Sequence, residues 1–387
     1  MMRSVSAGHR RSQRSRLQVK TGKCGMFRLT EPRDAEKHMQ AFLDHGAVPV
    51  LSFKASCDNR VNASLSRPLQ TVRTEHMCIA TSILTRVVEE WGCVEELVRS
   101  TRGEQIKKSP EDVIDEYLIH HNVPGKLQLR WVDRMTSGGK LQEVGPREEP
   151  TGRSLRLWIS RGFDGARFSR SLTAFANHEI CTHAVRAIND RVQVWACRRE
   201  VYGLTSDARE RQSTEEGLAS LNSVICYPRG MRHLWSAAML YYCAVKGQDM
   251  GFGELHRHLV KYVRSPTKRY WYCIRTKGKL AELDKPGACG KGQVYLEGAV
   301  AILRSVDTID FHLLYSGKVP LSKLARVKNI VRRSLVTLPK FVQDQAKYKA
   351  TLRQIGRLNG ILPAKLPLPS TRRRAISSSV GDLKQHA

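Results

Sequence analysis

His178, Glu179 and His183 stand within six residues of one another, and Glu216 follows about one helical segment later. Two imidazoles and one carboxylate are the donors of a catalytic zinc site that leaves a coordination position open, and an adjacent glutamate is the base such a site needs. Together these residues could hydrolyse a peptide bond, with His178, His183 and Glu216 holding one Zn2+ per chain and Glu179 as general base. The common spacing for this chemistry, H-E-x-x-H, puts both imidazoles one turn apart on a single helix face. Here the spacing is H-E-x-x-x-H. At about 100° per residue, positions i and i+5 of a regular helix diverge by roughly 140°, too far for two ligands of one ion. The extra residue therefore predicts a single wide turn with i to i+5 hydrogen bonding, a π-bulge, between His178 and His183.

The third ligand comes from Ser213-Thr214-Glu215-Glu216-Gly217-Leu218-Ala219. Glu216 is the choice and Glu215 the alternative. The same stretch also reads as a capping box, because Ser-x-x-Glu ahead of an apolar run marks a helix start.

Phe168, Leu172, Phe175 and Ala176 have the spacing of a helix with one buried face, so the His-Glu pair sits on a helix. Leu127, Leu129 and Trp131 alternate with polar partners, as do Leu155, Leu157 and Ile159, which predicts two strands flanking a loop over 136–153. Ile79, Ile83 and Val87 share one face of a helix that stops near Gly92, and Ser109-Pro110-Glu111-Asp112 reads as the capped start of a helix running to about His120. Further helices are expected near 214–226, 230–246, 252–264, 292–304, 308–316 and 335–357. The sum is an α+β fold, predominantly helical, with a small sheet beside the zinc-binding helix. The expected organisation is a basic arm over 1–27, a helical subdomain over 28–125, a catalytic domain over 126–365 and a basic tail over 366–387.

Charge is the unusual bulk property. Sixty-five Lys and Arg face 36 Asp and Glu, a formal net charge of +29, so the long-range field attracts polyanions. Nucleic acid, anionic membrane and acidic protein tails all carry the right sign, and no nucleic-acid-binding motif accompanies the charge. Ten cysteines occur without a C-x-x-C pair, which fits reduced thiols in a cytosolic or nuclear compartment. The apolar run from Leu234 to Val245 is too short to span a bilayer. The first twenty residues hold five arginines and no acid, the composition of a solvated basic arm or of an organellar transit peptide.

Three stretches in order, HEICTHAVRAIND, TEEGLASL and the segment containing GQVYLEG, resemble the microtubule-associated tyrosine carboxypeptidase family. The Glu-Gly-Leu-Ala run is also similar to the Glu-Gly-Phe-Ala run of gluzincin peptidases, in which the Glu completes a His2Glu site. The resemblance covers roughly residues 30–360. It implies a gluzincin-like zinc metallopeptidase of the cytoplasm and cytoskeleton that removes a C-terminal aromatic residue from an acidic tail, the tyrosine of α-tubulin in animal members. By motif, His178, His183 and Glu216 would bind zinc and Glu179 would act as base. Tyr295 is the candidate oxyanion donor by analogy, with a plain core tyrosine as the alternative. Arg275, Lys277 and Lys291 are the candidates for the substrate carboxylate, which a cationic side chain holds through charge-assisted hydrogen bonds. Cys181 replaces the family's Gly inside the wide turn, where a thiol either packs as a small apolar group or competes for zinc, and Glu297 replaces an Asp. The competing expectation is a catalytically inactive, basic microtubule- or nucleic-acid-binding protein that keeps the fold.

Overall fold

The computed structural model describes residues 35–51, 70–123, 127–133, 135, 138–144, 154–205, 207–280 and 282–363. The basic arm and the basic tail lie outside the described residues. In chain order the helices are α1 (Ala35–His45), α2 (Met77–Trp91), α3 (Val94–Thr101), α4 (Pro110–His120), α5 (Ser169–His178), α6 (Val185–Arg191), α7 (Ala208–Val224), α8 (Trp235–Gly247), α9 (Phe252–His258), α10 (Pro266–Lys277), α11 (Val294–Arg304), α12 (Phe311–Tyr315), α13 (Leu324–Val327), α14 (Lys340–Gln343) and α15 (Gln345–Leu358). The strands are β1 (Leu127–Val132), β2 (Gly139–Val144) and β3 (Ser154–Ser160). The protein is thus predominantly helical α+β with one small sheet.

The sheet has the order β1-β3-β2, with β1 parallel and β2 antiparallel to β3. Strand β2 falls inside the span expected to be a loop. Its sequence Gly-Lys-Leu-Gln-Glu-Val has no apolar alternation, so no period-2 signal marked it. Its pairing supplies hydrogen-bond partners to the second edge of β3, whose residues Leu155, Leu157 and Ile159 are fully buried.

Other boundaries moved for identifiable reasons. Helix α7 begins at Ala208, with the Asp207 carboxylate accepting from the Arg209 N–H at 3.2 Å, so Ser213 and Glu216 lie inside the helix and form no capping box. The segment expected as one helix over 335–357 is broken at Asp344, which caps α15 by accepting from Lys347 N–H at 2.9 Å. Gly92, at φ +76°, ends α2, and the Ser109 hydroxyl caps α4 by accepting from Asp112 N–H at 3.1 Å, both as the sequence predicts.

Between α5 and α6 the chain makes a π-helical turn over Glu179–Ala184. Along this continuous segment Leu172, Ala176, Ile180, Ala184 and Ile188 are buried against β1 and β3 in a core of their own. Sixteen residues of regular helix would rotate such a four-residue stripe by about 160°, and absorbing one residue in the wide turn cuts that to about 60°. The turn therefore keeps the apolar face on the sheet across both helices.

The opposite side of this segment meets α7, which is itself pressed against α11. A Cβ on Gly298 would lie 1.6 Å from the Ser213 carbonyl oxygen, and one on Gly217 would lie 2.2 Å from the Gly298 carbonyl carbon. The two backbones touch, and only glycine allows it. Arg209 on α7 locks the crossing, pairing with the Glu297 carboxylate through Nε at 2.9 Å and through its second nitrogen, and donating to Thr71 O at 2.7 Å. Gly298→Ala and Gly217→Ala are each expected to cost about 1–3 kcal/mol, as overpacking does. A lowered urea midpoint at unchanged m would show this, and wild-type midpoints in both variants would refute the close crossing.

Candidate metal centre

The π-turn does for the imidazoles what it does for the apolar stripe. It brings the His178 and His183 rings to 5.0 Å between centroids, at an interplanar angle of 74°. Opposite them, α7 presents Glu216. The Nε2 atoms of both imidazoles lie 3.5 Å from the same oxygen, Glu216 Oε2. The three donor atoms lie within 4.8 Å of one another and form the one such His/His/Glu group among the described residues.

Glu216 Oε2 is buried with no hydrogen-bond partner. An orphaned buried carboxylate oxygen is costly, and two imidazole nitrogens at 3.5 Å do not satisfy it. A tetrahedral zinc with bonds of about 2.1 Å separates its donors by about 3.4 Å. The two separations from Glu216 Oε2 match that requirement and all three donors lie within 4.8 Å of one another, so the residues present fit the ion.

The outer nitrogens set the tautomers. The Ser223 hydroxyl donates to Ala219 O at 2.7 Å and so accepts from His178 Nδ1–H at 3.1 Å. Glu215 Oε2 accepts from His183 Nδ1–H at 3.1 Å. With the imidazoles neutral, both Nε2 lone pairs then face Glu216 Oε2, the protonation state that binds a metal. Glu215 therefore stands behind an imidazole and is not an alternative ligand.

The site is electrostatically short of a cation. Burial pushes Glu216 up, but His183 and His178 outweigh it and hold the carboxyl well below the ordinary range. Burial likewise opposes a charged His183, yet Glu216, Glu215 and Glu179 raise it to about 10. Glu215, despite its burial, is lowered to about 2 by Arg186 and by His183. Without an ion, a proton on His183 takes the place of positive charge between the carboxylates.

Glu179 opens the π-turn and is half-buried. It makes no hydrogen bond or ion pair among the described residues, while its charge acts on both His183 and Tyr295. Tyr295, on α11, stacks at 24° and 6.5 Å on the His178 ring. Burial first, then the Glu216 charge, pushes its phenol well above the usual value, so it stays a donor.

Of the three cations expected to hold a carboxylate, two are available. Arg275 is exposed, with its guanidinium 5.4 Å from the Tyr295 ring centroid. Lys291 is exposed on the turn before α11, and its ammonium is held below the ordinary value by desolvation and by the like charges of Lys279 and Arg275. Neither has an acidic partner among the described residues. Lys277 does not belong with them. It is fully buried, and its ammonium donates to the backbone carbonyls of Gly247, Lys285 and Gly287 at 3.1, 2.9 and 2.6 Å. It ties α8 and α10 to the loop before α11 and has no hydrogen left for a substrate.

Cys181 is buried on the far side of the wide turn. Its Sγ lies 3.1 Å from the Tyr117 hydroxyl, and burial pushes the thiol up to about 12, so it packs as a small neutral group. The turn is braced there by side chains the sequence did not single out. Thr182 Oγ1 donates to Asn177 O at 2.8 Å, five residues back. Asn222 Nδ2 donates to Thr182 Oγ1 at 2.7 Å and to Tyr315 at 2.8 Å, while Tyr348 donates to Asn222 Oδ1 at 2.6 Å. Helical spacing alone could have flagged two other supports of the site, Arg186 three residues past His183 and Ser223 seven past Glu216.

Comparisons with known proteins agree with the motif order. The sequence profile of the microtubule-associated tyrosine carboxypeptidase family matches residues 163–358, half of the chain and all of the metal centre. Human "Microtubule-associated tyrosine carboxypeptidase 1" is 32% identical over 311 residues, 77% of this chain and 63% of its own length. "Putative tyrosine carboxypeptidase MATCAP2" is 30% identical over 287 residues in Mus musculus, 74% of this chain and 53% of its own length. The Homo sapiens protein of that name is 37% identical over 198 residues, 50% of this chain and 37% of its own length. The chain thus spans less than two thirds of the length of these relatives. With the profile match running through the π-turn, Glu216 and Tyr295, the chain belongs to the microtubule-associated tyrosine carboxypeptidase family.

Proposed function

We propose that this protein is a zinc metallocarboxypeptidase of gluzincin-like design that removes a C-terminal tyrosine, or another aromatic residue, from an acidic protein tail, that of α-tubulin in the first instance. The observation that carries the reading is the convergence of His178 Nε2, His183 Nε2 and the orphaned Glu216 Oε2. Zinc held there would supply Lewis acidity, polarising the scissile carbonyl and acidifying water. Glu179, unpartnered and beside His183, takes the proton of the attacking water and passes it to the departing amine. Tyr295 keeps its phenolic proton and donates toward the oxygen on which negative charge develops.

Substrate polarity follows from charge. Arg275, over the Tyr295 ring, and Lys291, within reach of the Arg275 and Glu216 charges, are cations without acidic partners among the described residues and donate to the free C-terminal carboxylate. The net charge of +29 draws an acidic tail toward the site, at a rate that falls as salt rises. The family's description and the name of one relative join microtubules to a tyrosine carboxypeptidase, which supports a cytoskeletal, cytoplasmic setting for this chain. No helix among the described residues is long and apolar enough to cross a membrane.

Elemental analysis of the purified protein is expected to find about one zinc per chain, lost in His178→Ala. A folded wild type that takes up no zinc would end this reading. Glu179→Gln is expected to keep its zinc while kcat falls about 10²- to 10⁴-fold on a peptide ending in tyrosine; equal turnover would remove Glu179 from the chemistry. The double variant Arg275→Ala/Lys291→Ala is expected to lose about 10- to 100-fold in kcat/KM on the free-acid peptide, the worth of charge-assisted hydrogen bonds. It should also lose preference for the free acid over the C-terminally amidated peptide, and an unchanged preference places the carboxylate elsewhere.

A further inference from the structure

The two imidazoles are backed unequally. Behind His178 stands a neutral hydroxyl, Ser223 Oγ at 3.1 Å. Behind His183 stands a carboxylate, Glu215 Oε2 at 3.1 Å, whose other oxygen pairs with Arg186. Arg186 is fully buried, and its other two nitrogens are held by backbone carbonyls, Nε donating to Leu314 O at 3.1 Å and Nη2 to Val319 O at 2.9 Å. A continuous line of hydrogen bonds therefore runs from the backbone around α12, through Arg186 and Glu215, to the metal-facing imidazole of His183.

The geometry points to Glu215, itself held by Arg186, as the positioning residue that fixes the tautomer and aim of His183, making His183 the anchored zinc ligand and His178 the looser one. The inference rests on the zinc reading above and goes beyond it, because it concerns unequal support within the ligand set. The physical reason lies in donor and acceptor inventory. A carboxylate can accept from Arg186 and from His183 Nδ1–H at the same time. A glutamine in its place cannot, because only its oxygen accepts. With the oxygen turned to the buried Arg186, its amide faces His183 Nδ1, which must then become the acceptor, and the imidazole proton moves to Nε2. That nitrogen is the one facing Glu216 Oε2. Glu215→Gln thus keeps the side-chain volume while favouring the tautomer that cannot bind metal. Ser223→Ala removes only a hydroxyl, after which water can accept from His178 Nδ1, whose side chain is about one fifth exposed at 21%.

The test is zinc affinity, measured by competition with a chromophoric chelator, and the visible spectrum of the cobalt-substituted protein, with thermal melting as a check on folding. Glu215→Gln is expected to bind zinc about 10- to 100-fold more weakly than wild type and to shift the cobalt bands, whereas Ser223→Ala stays within about threefold. Glu215→Asp, which keeps a carboxylate, should recover part of the loss. Zinc affinity and cobalt bands unchanged in Glu215→Gln, or an equal loss in Ser223→Ala, would overturn the inference while leaving the zinc reading intact. A folded wild type that binds neither metal would overturn both. If Glu215→Gln does not fold, the contrast of Glu215→Asp with Glu215→Asn decides, with the same expectation for the carboxylate-bearing variant.

Discussion

One helical segment has to serve two surfaces at once, and the rest of the site depends on how it does so. Its apolar stripe must lie on the sheet through Leu172, Ala176, Ile180, Ala184 and Ile188, while His178 and His183 must face α7 together. A regular helix satisfies neither over this length, because its 100° step carries both sets of residues out of line. The π-turn at Glu179–Ala184 absorbs one residue and satisfies both. A wide turn is poorly held by its own backbone. Here Thr182 bonds back to the Asn177 carbonyl, Asn222 of α7 donates to Thr182, and Tyr117 of α4 lies against Asn177 and Cys181, while the tyrosines of α12 and α15 hold Asn222 in place.

Helix α7 transmits this constraint to Glu216. Glu215, Glu216, Asn222 and Ser223 all face the π-turn, one residue or one heptad apart, so a single helix supplies the carboxylate at the metal position, the partners of both imidazoles and the brace of the turn. The other side of α7 is fixed by backbone contact with α11 at Gly217 and Gly298, and by the Arg209–Glu297 pair. Tyr295 rides on α11 to the same site. The glycine following the metal-facing glutamate and the glycine of the Gln-Val-Tyr-Leu-Glu-Gly run are therefore two halves of one helix crossing. The Glu297 carboxylate of that run is taken up by Arg209.

Much of this was legible along the chain. The π-turn followed from a spacing of five, the ends of α2 and α4 from Gly92 and Ser109, and strands β1 and β3 from their alternation. What escaped had no local signature. Strand β2 lacks apolar alternation and exists because β3 needs a second partner. The start of α7 runs through Ala-Arg-Glu-Arg-Gln, a charged stretch whose buried member, Arg209, is tolerable only because Glu297 lies opposite it, 88 residues away. Lys277 looked like a substrate cation for the same reason that any lysine near a motif does, since its three carbonyl partners come from segments that composition cannot bring together.

The sequence by itself offered the two imidazoles and the carboxylate, the wide turn they need in order to face one another, and the sign of the chain's own charge, because residue type, helical step and net charge are local or additive quantities. Only the tertiary structure decided which of two neighbouring glutamates faces the metal position. Glu215 and Glu216 are equivalent as text, and about 100° apart on a helix. Packing α7 between the π-turn and α11 turned Glu216 Oε2 toward both Nε2 atoms and Glu215 toward Nδ1 of His183, where Arg186 holds it. That division of labour is a property of two helix contacts, and no single segment of the chain contains it.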